Sequence, residues 1–543
     1  MSRCVPVVGR PTHVQAPAAC CPASHRFPRS PCHCRSVDSE LQRTLGLSGR
    51  RVRGFPLLGA FPGPGMMPSM DLMEAAGIAD DVFATAPELV TVPGIAYGLM
   101  HSGELVHVGG RGEAMLGGPV PGPDTVFRIA SMTKSFTAGA ILILRDAGRL
   151  RLDDPIAAHL PFAAGLESLD GPSITIRDLL TMGSGLATDD PWGDRQESLS
   201  SAAFDELIAG GLSFCRPPRM AFEYSNTGYA LLGRVIEEVS GMSYRDFVIE
   251  RICAPLGMTA TTFDAREVEA SRLATGYRLA AGGVPMPEPV VRPGAYSAMG
   301  GLLSSIRDIA LWVGGFTRAW TSSSAHPVDR WALREAQESA RFVGVDDSSE
   351  PGADTGSTGY GFGLYVREGR VLGRVVSHSG GYPGFGSHMR WHPRSSWGVV
   401  VLGNATYAPV RIAASVVLAR IVGESQAAHG AKLPIAVMPW PQTLVAMTVV
   451  ENLLRGCSDD VAEGVWSPNM DLDVPREERA LALGELRESI GVPQREDGSV
   501  EHRTPAHASW TVTGELGSAR VEMLMTPERV PRIQSLVVKR LVG

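Results

Sequence analysis

Lysine is a rare choice in this chain. Of fifty basic residues, only Lys134, Lys432 and Lys539 are lysines, and the rest are arginines. Arginine keeps its proton inside a protein, whereas a buried lysine can release it. Lys134 follows Ser131 by three residues, at the head of a strongly apolar segment. On a helix, positions i and i+3 share a face, so the two side chains would project together. Ser131 in the first turn would also feel the positive end of the helix field. Burial disfavours the ammonium form, and a neutral Lys134 would take the proton of Ser131 and make it a nucleophile. Alone, Ser-x-x-Lys fits a capping serine beside a surface lysine about equally well.

Two further groups of residues can join such a pair. In Phe222-Glu223-Tyr224-Ser225-Asn226-Thr227-Gly228-Tyr229, Tyr224 and Asn226 sit on a loop ahead of a helix. A phenol near a cation can be partly ionised and shuttle a proton to a leaving group. An Asn amide can hold a substrate carbonyl and a lysine head together. The plainer reading makes Asn226 the cap of the next helix and Tyr224 a packing residue. The other group is His378-Ser379-Gly380-Gly381, entered from the strand-like Val375-Val376-Ser377. Its glycines let a ligand approach the backbone. The N–H of Gly381 could join that of Ser131 as an oxyanion hole. His-x-Gly also occurs at His101 and His107, where a hairpin explains it, but only His378 follows the Tyr-x-Asn element.

In this order the three elements resemble the serine β-lactamase-like hydrolases, which include class C β-lactamases, D-Ala-D-Ala carboxypeptidases, D-aminopeptidases and related esterases. Supporting stretches include Pro123-Asp124-Thr125-Val126-Phe127-Arg128, Leu152-Asp153-Asp154-Pro155, Thr175-Ile176-Arg177-Asp178-Leu179-Leu180 and Gly300-Gly301-Leu302. The likeness spans about residues 70–424. It implies an α/β (α+β) fold of β-lactamase/transpeptidase type, an antiparallel sheet flanked by helices with a helical subdomain. It also implies Ser131 as acylated nucleophile, Lys134 as base, Tyr224 as partner acid and base, and Asn226 as amide holder. His378, Ser379, Gly380 and Gly381 would then line the opposite wall.

The chain departs from the lactamase pattern at 378, where those enzymes carry Lys-Thr-Gly. His-Ser-Gly is more typical of the peptidase and esterase branches. An imidazole is at most partly charged near neutral pH, so β-lactam hydrolysis is disfavoured unless Arg390 or Arg394 supplies the missing charge. The expected function is hydrolysis of an amide or ester through an acyl-enzyme, without metal or cofactor, by a peptidase or esterase. The alternative is a non-hydrolytic penicillin-binding-like or ligand-sensing protein on the same fold. The expected partner is a small-molecule or peptide-like acyl substrate.

Several elements must position these groups. Ser131 to Arg145 reads as a helix apolar on nearly every side, hence buried, with Gly148 as its stop. Thr227 to Val239 reads as a helix ending near Gly241. Asp71 to Leu89 reads as an amphipathic helix, and Gly94–Met100 and Glu104–Gly109 as strands around a turn. Thr175 and Asp178 suggest a capping box. Arg374–His378 and Trp397–Leu402 read as strands, followed by a helix near Val410 to Val422. His388 and His392 fall on a strand-like pattern that does not make them a helical metal pair.

At 543 residues the chain exceeds one ordinary domain. Residues 1–69 are rich in Pro, Arg, Gly, Cys and His, and read as a disordered leader or a mis-assigned start. A metal site at Cys20-Cys21 with Cys32-His33-Cys34 is the lesser reading. Residues 425–543 read as a separate α+β module, with helices near Gln442–Arg455 and Pro475–Ile490 and strands at Ala508–Thr513, Ala519–Met525 and Arg532–Val538. The formal charge of −7 and the absence of long basic runs argue against nucleic acid. Eight unevenly scattered cysteines suit a reducing cytoplasm better than a disulfide framework. Leu433 to Val450, though uncharged, contains prolines and reads as a linker into a helix rather than a membrane span.

Overall fold

The computed structural model describes residues 70–543, apart from 167–168, 281–282, 321–324, 347–351, 353, 428–437, 458–463, 497 and 542–543. The expected leader and its cysteine cluster lie outside the described residues.

An eight-stranded antiparallel sheet organises the larger part. Its strands are β1 Gly94–His101, β2 Glu104–Gly112, β3 Arg341–Asp346, β4 Gly356–Tyr360, β5 Tyr365–Gly369, β6 Arg374–Tyr382, β7 Phe385–His392 and β8 Trp397–Gly403. They lie side by side in the order β2-β1-β8-β7-β6-β5-β4-β3. The first and last strands of this sheet in the chain are therefore neighbours, β1 pairing with β8 from Ile95 opposite Gly403 to His101 opposite Trp397. The β1–β2 turn falls where expected, with Ser102 and Gly103 both in the left-handed region at φ 53° and 85°.

Helices cover both faces. On one side α1 (Leu72–Thr85) and α5 (Val410–Ala427) pack over residues such as Ile95, Val399 and Val401. On the other, α2 (Thr133–Asp146), α3 (Asn226–Ser240) and α4 (Ile306–Arg318) share a core with Ala96, Met100, Val400 and Leu402. Alternate residues of β1 and β8 thus go to opposite cores, as the strand period demands. The Thr175–Asp178 capping box is present in full, and Gly241 ends α3 at φ 75°.

The C-terminal part matches its α+β expectation closely. Helices α6 (Pro441–Leu454) and α7 (Arg476–Ile490) pack on a sheet with strands β9 (Gln494–Arg495), β10 (His507–Gly514), β11 (Gly517–Met525) and β12 (Ile533–Leu541). Its core, which includes Val450, Ile490, Trp510 and Val521, is distinct from the other two. Among the described residues no helix is long and apolar enough to cross a membrane.

Two expectations need correction. The segment from 131 does not begin as an α-helix: Ala130–Met132 is a 3-10 turn, and the α-helix starts at Thr133. Strand β6 does not end at His378 but runs through Ser379, Gly380 and Gly381 to Tyr382. Strands β3, β4 and β5 escape a sequence reading because Gly, Ser, Thr and charge interrupt their alternation.

Candidate active site

Ser131 lies in the 3-10 turn and Lys134 one turn later in α2. A 3-10 turn has three residues per turn, so positions i and i+3 eclipse. The Lys134 Nζ donates to Ser131 Oγ at 2.9 Å, to Asn226 Oδ1 at 2.7 Å and to the Met299 carbonyl at 2.8 Å. All three donor positions are used, and the side chain is fully buried. Ala130, just before Ser131, has φ 48° although it carries a Cβ. Such a conformation costs on the order of 1 kcal/mol and persists where packing imposes it. The packing here is β6: a Cβ on Gly380 would stand 2.2 Å from the Ile129 carbonyl oxygen, 2.3 Å from Ser387 Oγ and 3.0 Å from Ala130 Cβ.

That contact gives a prediction. Gly380→Ala should push the Ile129–Ser131 turn off β6, lowering stability by about 1–3 kcal/mol and slowing acylation far more. Urea denaturation and single-turnover acylation read the two effects. An alanine variant with wild-type values for both would show that the strand does not hold the turn.

The Tyr-x-Asn element is divided between two tasks. Ser225, not Asn226, caps α3, its hydroxyl accepting from the Gly228 N–H at 3.1 Å. Asn226 is therefore free to face Lys134. Its amide nitrogen donates to Asp190, and its backbone N–H donates to Asp189 Oδ1 at 2.6 Å. Asp189 Oδ2 also accepts from the Thr227 N–H at 2.7 Å and the Thr227 hydroxyl at 2.6 Å. The Tyr224 ring centroid lies 4.9 Å from Lys134 Nζ, and Tyr224 lines the cleft together with Ser131.

Charge states follow from burial. Desolvation brings the Lys134 ammonium down from its ordinary 10.5 to about 8, against the pull of Asp190, Asp194 and Asp189. The expected partial ionisation of Tyr224 is not borne out. Burial, Tyr365 and Asp190 push its phenol well above its usual range, outweighing the opposing influence of Ser131. Tyr224 thus rests as a proton donor. His378 is also neutral, since burial and nearby Lys134 bring it down to about 3. Its Nε2 lies 3.1 Å from the Tyr360 hydroxyl and its Nδ1 2.6 Å from the Ser379 carbonyl.

Past Ser377, β6 pairs only with β7; β5 pairs with it no further than Tyr365 opposite Ser377. The free edge fronts a cleft of about 580 Å³, lined by Ser131, Tyr224, His378, Ser379 and Gly381 together with Asp190, Asp194 and others. Five of the eight expected site residues thus share one cavity wall. Lys134 and Asn226 sit behind Ser131, and Gly380 turns toward the Ile129–Ala130 backbone. Neither expected source of positive charge arrives: Arg390 lines a different cavity, and Arg394 is exposed in the β7–β8 turn. No arginine is among the described residues lining the cleft. Burial, partly offset by a hydrogen bond from Tyr407, raises the Asp194 carboxyl to about 6.

A protein-family model described as Beta-lactamase matches residues 80–421, more than half of the chain. The chain belongs to the Beta-lactamase family. It is similar to Protein flp of Staphylococcus aureus (strain NCTC 8325 / PS 47), with 30% identity over 287 residues, covering 52% of this chain and 53% of that protein. It is also similar to Penicillin-binding protein 4* of Bacillus subtilis (strain 168), with 30% identity over 278 residues, 49% of this chain and 58% of that one. The chain thus spans about half the length of the curated relatives it matches. An octameric penicillin-binding protein homologue from Pyrococcus abyssi shares the fold, with TM-score 0.56 and 23% identity over 87% of this chain and all of the other. The antiparallel sheet flanked by helices is therefore the β-lactamase/penicillin-binding fold, a serine acyl-transferase and hydrolase fold.

The sequence did not single out Tyr360, Tyr365 or Tyr407. They come from β4, β5 and the loop after β8, and no local motif marks them. Asp189 and Asp190 fall in the Asp189 to Glu197 stretch that the sequence places along the cleft, but they precede the Tyr-x-Asn element by more than thirty residues, and no local spacing links them to it.

Proposed function

We propose that the protein hydrolyses an amide or ester through an acyl-enzyme on Ser131, and that it prefers neutral or amine-bearing substrates to carboxylate-bearing β-lactams. The observation that carries this is Lys134, fully buried and 2.9 Å from Ser131 Oγ. Neutral Lys134 accepts the Ser131 proton as Oγ bonds to the acyl carbon. The backbone N–H groups of Ser131 and Gly381 receive the oxyanion. The proton then passes from Lys134 by way of the Tyr224 hydroxyl to the departing nitrogen or oxygen. Water attacks the ester so formed, giving up a proton to Lys134, and Ser131 recovers its own. Asn226 fixes the Lys134 head and is in turn fixed by Asp190.

Substrate preference follows from wall charge. Asp190 and Asp194 line the cleft, His378 is neutral, and no arginine lines it. Such a wall repels a substrate carboxylate and attracts an ammonium. Peptidase or esterase chemistry therefore fits better than lactamase chemistry.

The test combines labelling with a substrate panel. A fluorophosphonate should modify Ser131, shown by peptide mapping. D-amino-acid amides and p-nitrophenyl esters should be turned over faster than nitrocefin. Labelling at another serine removes the proposed nucleophile, and faster nitrocefin turnover removes the preference. Stable acylation without release by every substrate would instead favour a ligand-sensing protein.

A further inference from the structure

Behind the cleft wall lies a second cavity, of about 320 Å³, that the proposed chemistry does not use. Register builds it. Ser377 stands opposite Arg390 and Ser379 opposite His388 across β6 and β7, so all four side chains leave the sheet on one face. The intervening His378 and Met389 go to the other. Arg367 on β5 and Arg411 and Ser415 on α5 complete the basic side of the lining.

The hydrogen bonding is incomplete in one direction. Arg390 is 8% exposed and donates through Nη1 to the Ser415 hydroxyl, but among the described residues its Nε has no partner. His388 is 2% exposed; its Nδ1 is 2.8 Å from Ser379 Oγ, and among the described residues its Nε2 has no partner. Asp354 is the one acid among the described lining residues, and its carboxylate is engaged by the N–H groups of Val371 at 3.0 and 2.9 Å and of Leu372 at 2.6 Å. A guanidinium cannot shed its charge to suit an apolar site, and a buried cation without a counter-charge is costly. Two buried nitrogens left open in a polar cavity ask for an acceptor that carries negative charge.

We propose that this cavity binds a small oxyanion, held by Arg390 and His388, and that its occupancy sets the hydrogen-bonding sense of Ser379 in the cleft. Ser379 and Tyr365 line both cavities and form the wall between them. An anion on Nε2 of His388 requires a proton there. Neutral His388 then has a bare Nδ1, so the Ser379 hydroxyl must donate to it. Ser379 is left offering lone pairs to the cleft, which suits a substrate that donates an amide N–H or an ammonium. Desolvation and the neighbouring Arg411 and Arg367 lower the Arg390 guanidinium to about 9, which also favours an incoming anion. The anion-binding half stands on the cavity alone; the Ser379 half rests on the proposed hydrolase.

Inorganic phosphate is the probe. Calorimetric titration at matched ionic strength should show phosphate binding to the full chain, and to Ser131→Ala, that sodium chloride does not reproduce. Arg390→Gln and His388→Asn should each weaken it at least tenfold; the second variant serves if the first does not fold. Phosphate should then lower KM for an amine-bearing amide in the wild type and leave KM unchanged in His388→Asn. Phosphate competing with a carboxylate-bearing ester but not with its neutral counterpart would assign the oxyanion to the substrate itself, whereas an equal effect on both assigns it to a free ion. No phosphate-specific heat, or equal affinity in both variants, overturns the site. Binding without any change in KM overturns the link to Ser379. Because Ser131→Ala is titrated too, failure of the hydrolase reading leaves the anion test intact.

Discussion

Ser131→Ala is expected to lower kcat on the best p-nitrophenyl ester by on the order of 10⁴- to 10⁶-fold, the loss seen when a covalent nucleophile is removed. The fold should survive. Ser131 contributes its hydroxyl to a network that keeps two other acceptors for Lys134, the Asn226 amide at 2.7 Å and the Met299 carbonyl at 2.8 Å. The variant should therefore melt close to the wild type and still bind substrate. Intact-protein mass spectrometry after brief mixing should show an acyl adduct on the wild type and none on the alanine form. Burst labelling that persists in Ser131→Ala places the nucleophile elsewhere. The size of the effect separates this outcome from that of a positioning residue, which leaves the chemistry in place and costs less.

The centre of the candidate site was readable because its geometry is mostly local. Ser131 and Lys134 are one turn apart, and their meeting needs only a helical turn. The same local rule did not tell a 3-10 turn from an α-helix, because both bring i and i+3 together. Tyr224 and Asn226 were found as a motif, but which of them capped the helix was not: Ser225 and Asn226 are both good caps. The choice is made by Asp189 and Asp190, which bind the Asn226 backbone and side chain from more than thirty residues away. The state of Tyr224 was missed for a similar reason. A cation nearby argues for ionisation, yet Tyr365 and Asp190 converge on the phenol from distant segments, and burial outweighs both. The wall opposite was half legible. His378 and Gly381 announce themselves as a glycine-rich strand edge, whereas the separation of Arg390 from the cleft depends on strand register. Arg390 pairs with Ser377 and so shares the face of Ser379 and His388 rather than that of His378. One residue of register decides which cavity a charge enters. The C-terminal strands were visible because apolar Ala508, Trp510 and Val512 alternate with Ser509, Thr511 and Thr513 along β10, and β11 alternates in burial along much of its length.

The second large effect concerns the base. Lys134→Arg keeps the charge and a set of donors but removes the ability to be neutral. It should reduce kcat/KM at pH 8 by at least on the order of 10³-fold, at the upper end of what a positioned base contributes. In the wild type, kcat/KM should climb as pH rises through about 8, the point to which burial brings Lys134. Asp190→Asn removes the carboxylate whose attraction opposes that descent most, so its rising limb should move to lower pH. The same titration acts on stability. The unfolded chain binds the Lys134 proton up to its ordinary 10.5 and the folded chain only to about 8. Between those values the unfolded state holds more protons, so stability should rise with pH across the interval. Lys134→Met should lack that rise, and denaturant titrations at several pH values would show it. A wild-type profile flat from pH 7 to 10, or an arginine variant of undiminished rate, would mean that some other group takes the proton from Ser131. The fully buried amine would then be a structural strut between Asn226 and Met299, and the base for the hydroxyl beside it would have to be one of the other cleft groups, Asp190, Asp194 or His378.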